Sequence, residues 1–217
     1  MRNQPFILRP KQSQVVRDVN DAIIEQHNLV VDKSRDEGAT ELVTGVFTVH
    51  WLLDPDSQFL VGSRKEEYVD RGVTIVGDTV RGSHKCLFHK ICYKVVHAPR
   101  WMRPNFLKTE MSLQNLDNHA TIGGEATNEN FGAGDRPTAC LVDEHGAMMP
   151  AMASSIIDRL NDSTGCIIYN STHYYGVAHP YNQLLSQKLG KIKVVSLPWE
   201  ENPMKNMGLY RSPSYDV

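Results

Sequence analysis

The sequence predicts an α/β fold with one mainly parallel β-sheet covered by helices on both faces. Three observations predict it. Helix-like and strand-like apolar patterns alternate along the chain, the stretch VVDKSRDEGATEL (30–42) links a strand to a helix, and a later apolar run, TACLVDE (138–144), ends in two consecutive carboxylates. Strands that alternate with helices are buried on both faces, so they read as short continuous apolar runs.

From Lys11 to Glu25, apolar residues at Val15, Val16, Val19, Ala22, Ile23 and Ile24 follow a helical period. Asn28 to Val31 is a short β-branched run, and Glu41 to Leu53 is helical again through Leu42, Val43, Val46, Phe47, Val49 and Trp51. DPDS breaks that helix before the strand-like QFLVGS. A charged turn follows from Arg64, then a helix with Leu87, Phe88, Ile91, Cys92 and Val95 on one side, closed by Pro99 and Pro104. The region from Leu107 to Arg136 is polar and holds two glycine groups, GGEA and FGAGDR. Thr138 to Val142 is an apolar strand, Ala151 to Leu160 a helix, and Gly165 to Tyr169 another apolar strand ending at Asn170, Ser171 and Thr172. The tail from Pro198 to Val217, rich in Pro, Asn and Ser, reads as a linker or the start of a further domain, which leaves 1–197 as the folded unit.

Composition bounds the function. A chain of 217 residues with 41% hydrophobic content is long enough to bury a substantial core. Its 23 basic and 25 acidic residues give a net charge of -2, so any contact with nucleic acid must come from a local patch. Arg64, Lys65, Arg71, Arg81 and Lys85 are scattered among acids and read equally well as a solvated face. There is no apolar run of membrane-spanning length, and MRNQPFILRP lacks the apolar core of a signal peptide, so a cytosolic chain is expected. Cys86, Cys92, Cys140 and Cys166 show no CxxC spacing and are expected as reduced structural thiols. A zinc reading of His84, Cys86, His89, Cys92 and His97 is rejected, because on a helix these residues spread over more than one face.

Aligned with the phosphate-loop pattern GxxxxGK[ST], the loop places Gly38 and Thr40 correctly, but Lys33 stands where the first glycine belongs and Ala39 where the lysine belongs. Backbone N–H groups of Lys33, Ser34, Arg35, Asp36, Glu37, Gly38, Ala39 and Thr40 at a helix start suit an anion, and Thr40 offers a hydroxyl to Mg²⁺. A plain strand-to-helix turn stays open as the other reading. In TACLVDE a buried strand delivers Asp143 and Glu144, the first suited to hold Mg²⁺ and the second to polarise water. Ser171 and Thr172 end the next apolar strand and would lie beside Glu144 if the two strands are neighbours, though Asn, Ser and Thr favour strand ends anyway. Gln12 offers an amide to an adenine edge or is simply a polar residue at a helix start, and Arg136 is a guanidinium on a glycine-flanked loop.

The ordered set KSRDEGAT, GSRKEEYVD, GGEATNENFGAGDR, TACLVDEHGAM, IIYNSTHYYG and SLPWEENPMKNMGLY resembles the ATPase portion of the large terminase subunit of tailed double-stranded DNA bacteriophages, from about Phe6 to Tyr210. The resemblance implies an ASCE-type P-loop NTPase fold, ATP and Mg²⁺ as cofactors, and a deviant Walker A loop whose basic residue has moved to its beginning, at Lys33 with Arg35. It puts Gln12 on the adenine-reading position, Thr40 and Asp143 on Mg²⁺, Glu144 on the catalytic carboxylate, and Ser171 and Thr172 on the coupling motif. Arg136 matches an arginine of the loop proposed to act in trans, where related sequences often carry a further arginine at the position of Ala133. The implied partners are double-stranded DNA, the portal protein, the small terminase subunit and further copies in a ring commonly described as a pentamer, an isolated domain being compatible with a monomer. The implied location is the host cytoplasm, transiently the procapsid portal vertex, and not the mature virion. Because the family's nuclease domain would begin near Val217, no nuclease activity is expected of this chain. Two alternatives remain: a helicase-like DNA translocase unrelated to packaging, and a nucleotide-binding module that does not hydrolyse.

Overall fold

The computed structural model describes residues 6–128, 130–134, 136–188 and 192–208. Residues 209–217 of the tail lie outside them. The first half runs α1 (Pro10–Glu25), β1 (Leu29–Lys33), α2 (Ala39–Leu53), β2 (Gln58–Ser63), α3 (Glu66–Val69), a hairpin of β3 (Thr74–Val76) and β4 (Thr79–Arg81), and α4 (Leu87–His97). The second runs β5 (Phe106–Thr109), β6 (Ser112–Asn115), β7 (Thr121–Ala126), β8 (Ala139–Asp143), α5 (Pro150–Ser163), β9 (Ile167–Ser171), α6 (Pro180–Leu185) and β10 (Lys193–Leu197).

The main sheet has eight strands in the order β10-β1-β9-β8-β2-β7-β6-β5. Every pairing from β10 to β7 is parallel, and β6 and β5 add an antiparallel edge, so the expected mainly parallel α/β sheet is present. Alternate residues of each strand face opposite sides. Leu29, Val31, Phe59, Val61, Leu141 and Ile168 join α1, α2 and α4 in one core, while Val30, Leu60, Cys140, Val142, Ile167 and Tyr169 join α5 and α6 in the other. The strands are thus fixed from two sides, and the loops at the C-terminal edge stand on a rigid base. All four cysteines are free and buried. Among the described residues no helix is long and apolar enough to cross a membrane.

The polar region from Leu107 to Arg136, to which the sequence pattern assigns no element, contributes most of β5 and all of β6 and β7. Gly124, on the face of β7 toward α4, leaves room for Phe88: a Cβ there would meet that ring at 2.5 Å. The glycines of GGEA are therefore strand residues, the second of them under a close-packed helix.

The same logic holds at Gly62 of β2, where a Cβ would lie 2.3 Å from the ring of the fully buried Phe131. Gly62→Ala is expected to cost about 1–3 kcal/mol by overpacking. Urea unfolding checks it: Gly62→Ala lowers the midpoint, and Phe131→Leu in the same chain recovers part of the loss, whereas strictly additive effects would refute the clash.

Candidate active site

The parallel register brings the candidate residues to one edge. Asp143 is paired with Asn170 across β8 and β9, and Asp32 with Ser171 across β1 and β9, so the ends of three adjacent strands lie level. The next residues, Lys33 on β1, Glu144 after β8 and Thr172 after β9, face a common pocket of about 560 Å³ that Arg35, Asp36, Thr40 and Asp143 also line.

Asp143 is 8% exposed and accepts from Asn170 Nδ2 at 2.5 Å and from Thr40 Oγ1 at 3.1 Å. Asn170 Nδ2 also lies 3.1 Å from Thr40 Oγ1, which closes a three-membered cluster. Burial pushes the Asp143 carboxyl up, the Lys33 ammonium only partly offsets it, and the net shift is upward. That is the electrostatic state of a carboxylate lacking a strong cation partner. Thr40 and Asp143 are both hard oxygen donors, and Asn170 Oδ1 is buried with no hydrogen-bond partner among the described residues. The pair fits a Mg²⁺ that takes its other ligands from phosphate and water. Among the described residues no three His, Cys, Asp or Glu side chains converge as a metal cluster.

Glu144 has left-handed backbone, with φ 58° and ψ 34°, costly for a residue other than glycine. Its turn is fastened to β9: Glu144 N donates to Asn170 O at 2.7 Å and Gly146 N to Ser171 Oγ at 2.9 Å. Glu144 Oε1 in turn accepts from Lys33 Nζ at 2.8 Å. Lys33 therefore contacts the second of the two acidic residues directly.

The loop itself is anchored from below. Glu37 is 1% exposed and meets Arg9 Nη2 at 2.6 Å, Lys205 Nζ at 2.9 Å and Asn202 Nδ2 at 3.0 Å. Burial raises its pKa, but the hydrogen bonds from Asn202, Lys205 and Arg9 outweigh it, so the carboxyl sits below its ordinary value. Gln12 is buried, donating to Glu37 O at 3.0 Å and accepting from Arg9 N at 3.0 Å, so both ends of its amide serve the loop. Ser34 Oγ accepts from Trp199 N at 3.2 Å. Gly38 is left-handed with φ 78° and caps α2, whose first N–H groups, at Ala39, Thr40 and Glu41, have no intrahelical acceptor. Ala39 is 1% exposed and faces the core.

Lys33, Arg35, Asp36, Thr40, Asp143, Glu144 and Thr172 are thus brought together. Ser171 is buried in its bond to Gly146, and Arg136 is exposed two residues before Thr138, which pairs with the start of β2 at the opposite edge of the sheet. Sequence reasoning misses the part played by Asn170. Its only signal is an amide at the end of a buried strand, a place where the side chain must find a polar partner.

No family model matches the sequence, and no curated protein matches it. Solved structures do. A large terminase from a thermophilic bacteriophage, in complex with ADP, is similar with a TM-score of 0.63 at 12% identity, over 94% of this chain and 48% of that one. The HK97 bacteriophage large terminase gives 0.64 at 15%, over 97% and 46%. The Thermus phage P74-26 large terminase ATPase domain gives 0.56 at 12%, over 95% and 91%. The chain has the fold of a phage large terminase ATPase domain. It spans about half the length of the ADP-bound and HK97 terminases and nearly all of the P74-26 domain. In this sheet the strand carrying Asn170 lies between the loop strand and the strand carrying Asp143.

His145, beside the acidic pair, gives a pH test. It is fully buried, with Nε2 3.2 Å from Ala153 O and Nδ1 unpartnered among the described residues. Burial, opposed in part by the Ala153 carbonyl, pushes its pKa from 6.5 down to about 4. The unfolded chain then takes up a proton near pH 6.5 that the folded chain refuses until about pH 4, so stability falls as pH falls through that window. The loss is up to roughly 3 kcal/mol. Denaturant midpoints measured from pH 7 to 4.5 should fall steadily, with a shallower fall in His145→Gln; a pH-independent midpoint would show that His145 is not held neutral.

Proposed function

We propose that this chain is the ATPase motor domain of a phage large terminase, hydrolysing ATP to drive double-stranded DNA into a procapsid. The observation that carries it is the joint presence, on a terminase fold, of the Thr40–Asp143–Asn170 cluster and the Lys33–Glu144 pair in one pocket. The ADP bound to the thermophilic phage's terminase supports a nucleotide here.

The start of α2 and its unpaired N–H groups receive the phosphates. Thr40 and Asp143 would hold Mg²⁺, which would supply positive charge against the phosphates. Asn170 fixes the Asp143 carboxylate toward that position. Glu144, held rigid by its fastening to β9, orients the attacking water. Lys33 and Arg35 supply the charge that Ala39 does not, and Lys33 must leave Glu144 to do so, which frees the carboxylate when a polyphosphate arrives. Gln12 acts on the loop that surrounds the nucleotide, with its amide committed to Glu37 O and Arg9 N rather than free for an adenine edge. Thr172 and Ser171 pass the state of the pocket to β9. Arg136, on the far edge, serves a neighbouring subunit in a homo-oligomeric ring. Double-stranded DNA, the portal protein and the small terminase subunit are the proposed partners, met in the host cytoplasm at the portal vertex.

The engagement of Lys33 by Glu144 favours one second reading, a nucleotide binder without turnover. Steady-state ATP hydrolysis across protein concentrations, with Mg²⁺ and with chelator, separates the two. A trans arginine contributes about 10³ to 10⁵ in rate, so turnover should be slow when dilute and rise per subunit on concentration. Lys33→Ala and Glu144→Ala should each abolish it, and Arg136→Ala should remove only the concentration-dependent part. Binding of ATP with no turnover at any concentration would favour the second reading.

A further inference from the structure

The pocket reaches past the acidic pair onto β2. Beyond Gly62 and Val142, the last registered pair of β2 and β8, come Ser63 and Asp143, then Arg64 and Glu144. Arg64 lines the pocket with Lys33 and Glu144, and so do Lys85, Lys90 and Tyr68. Five cationic side chains (Lys33, Arg35, Arg64, Lys85, Lys90) therefore face three carboxylates (Asp36, Asp143, Glu144). Two of the five are engaged: Lys33 by Glu144 and Lys90 by Glu41. Arg64 has no carboxylate partner among the described residues, although Glu67 nearby takes both Lys65 and Arg71. Its guanidinium lies instead over the Tyr68 ring, 5.3 Å from the centroid. An arginine stacked on an aromatic face keeps its N–H fork free along its edges, the geometry that recognises two oxygens of a phosphoryl group at once.

We propose that Arg64 is a phosphate-binding residue of its own subunit's nucleotide site, contacting the terminal phosphoryl group from the β2 side while Lys33 and Arg35 approach from the β1 side. The proposal rests on the ATPase reading and adds to it a cation supplied in cis, from the strand beyond the acidic pair. Tyr68 is the positioning residue: it orients the fork and touches no substrate. The ligand class is a nucleoside triphosphate rather than a diphosphate, since a nucleotide seated on the loop reaches toward Glu144 only with its last phosphate.

The test compares binding of a non-hydrolysable ATP analogue and of ADP, both with Mg²⁺, by titration calorimetry on the whole chain, for wild type, Arg64→Ala, Arg64→Lys and Tyr68→Leu. Arg64→Ala should weaken the triphosphate about tenfold while moving ADP by less than about twofold. Arg64→Lys should recover part of that loss, because it keeps the charge but not the fork, and Tyr68→Leu should fall between. Arg64 is exposed, so its variants should keep the wild-type unfolding midpoint. Equal losses for both nucleotides, or none for either, overturn the assignment, as does a loss confined to double-stranded DNA binding, which would make Arg64 a nucleic-acid contact. A wild-type chain that binds neither nucleotide refutes the ATPase reading itself, whereas tight wild-type binding with an indifferent Arg64→Ala refutes only this inference.

Discussion

A carboxylate with almost no access to water, Asp143, is the constraint from which the site's architecture follows. An ionised carboxyl in that position is costly unless donors surround it. The donors come from two other elements, Thr40 at the start of α2 and Asn170 at the end of β9, and they can meet only if β9 lies beside β8 in the observed register. Once that register is set, Glu144 lands next to Lys33 and Gly146 next to Ser171 without further specification. The local strain at Glu144 is sustained by the same fastening, because its N–H and the turn after it are both tied to β9. Chemistry and packing are therefore not separable here: a residue that disturbs β9 moves the carboxylates.

What is legible in the sequence follows the strength of its periodic signal. Helix α1 and strands β2, β8 and β9 carry long apolar runs or a clear stripe, and each is found within about two residues of its expected place. The strands β5 to β7 are obscured because their residues are polar on one face and, at Gly123 and Gly124, lack side chains, the second of these being where Phe88 packs. Edge strand β10 alternates exposed and buried positions beside a lysine, a weak signal when its partner is unknown. At the site, Thr40, Asp143 and Glu144 are readable from spacing after a strand. Asn170 and Arg64 are not, since one looks like an ordinary strand end and the other like one charge among many until the sheet aligns them.

Glu37 shows the limit of motif reading in another way. Counted as a loop residue that faces phosphate, it is a buried anchor, gripped by Arg9 from before α1 and by Asn202 and Lys205 from beyond β10. Segments far apart in sequence thus meet beneath one loop. Gln12 belongs to the same assembly, with its amide spent on Glu37 O and Arg9 N. The loop is held by side chains that a pattern of glycines and lysines does not describe.

The unusual placement of charge in the loop has a physical reason. Position 39 points into the core formed by α1, α2 and α4, where Ala39 is in van der Waals surroundings and a lysine stem would have to displace packed side chains. The positive charge must then come from outside the helix, and the end of β1 is the nearest rigid place. From there Lys33 reaches across the C-terminal edge to Glu144, with only 11% of its side chain exposed. An ammonium in that position can serve two anions in turn, the glutamate in the absence of phosphate and the phosphate in its presence, because both lie within the sweep of one flexible stem. A lysine fixed in the first turn of α2 would be committed to the phosphates and would leave Glu144 without a partner. In the proposed ATPase, moving the charge to β1 would couple arrival of the nucleotide to release of Glu144, the carboxylate proposed to orient water.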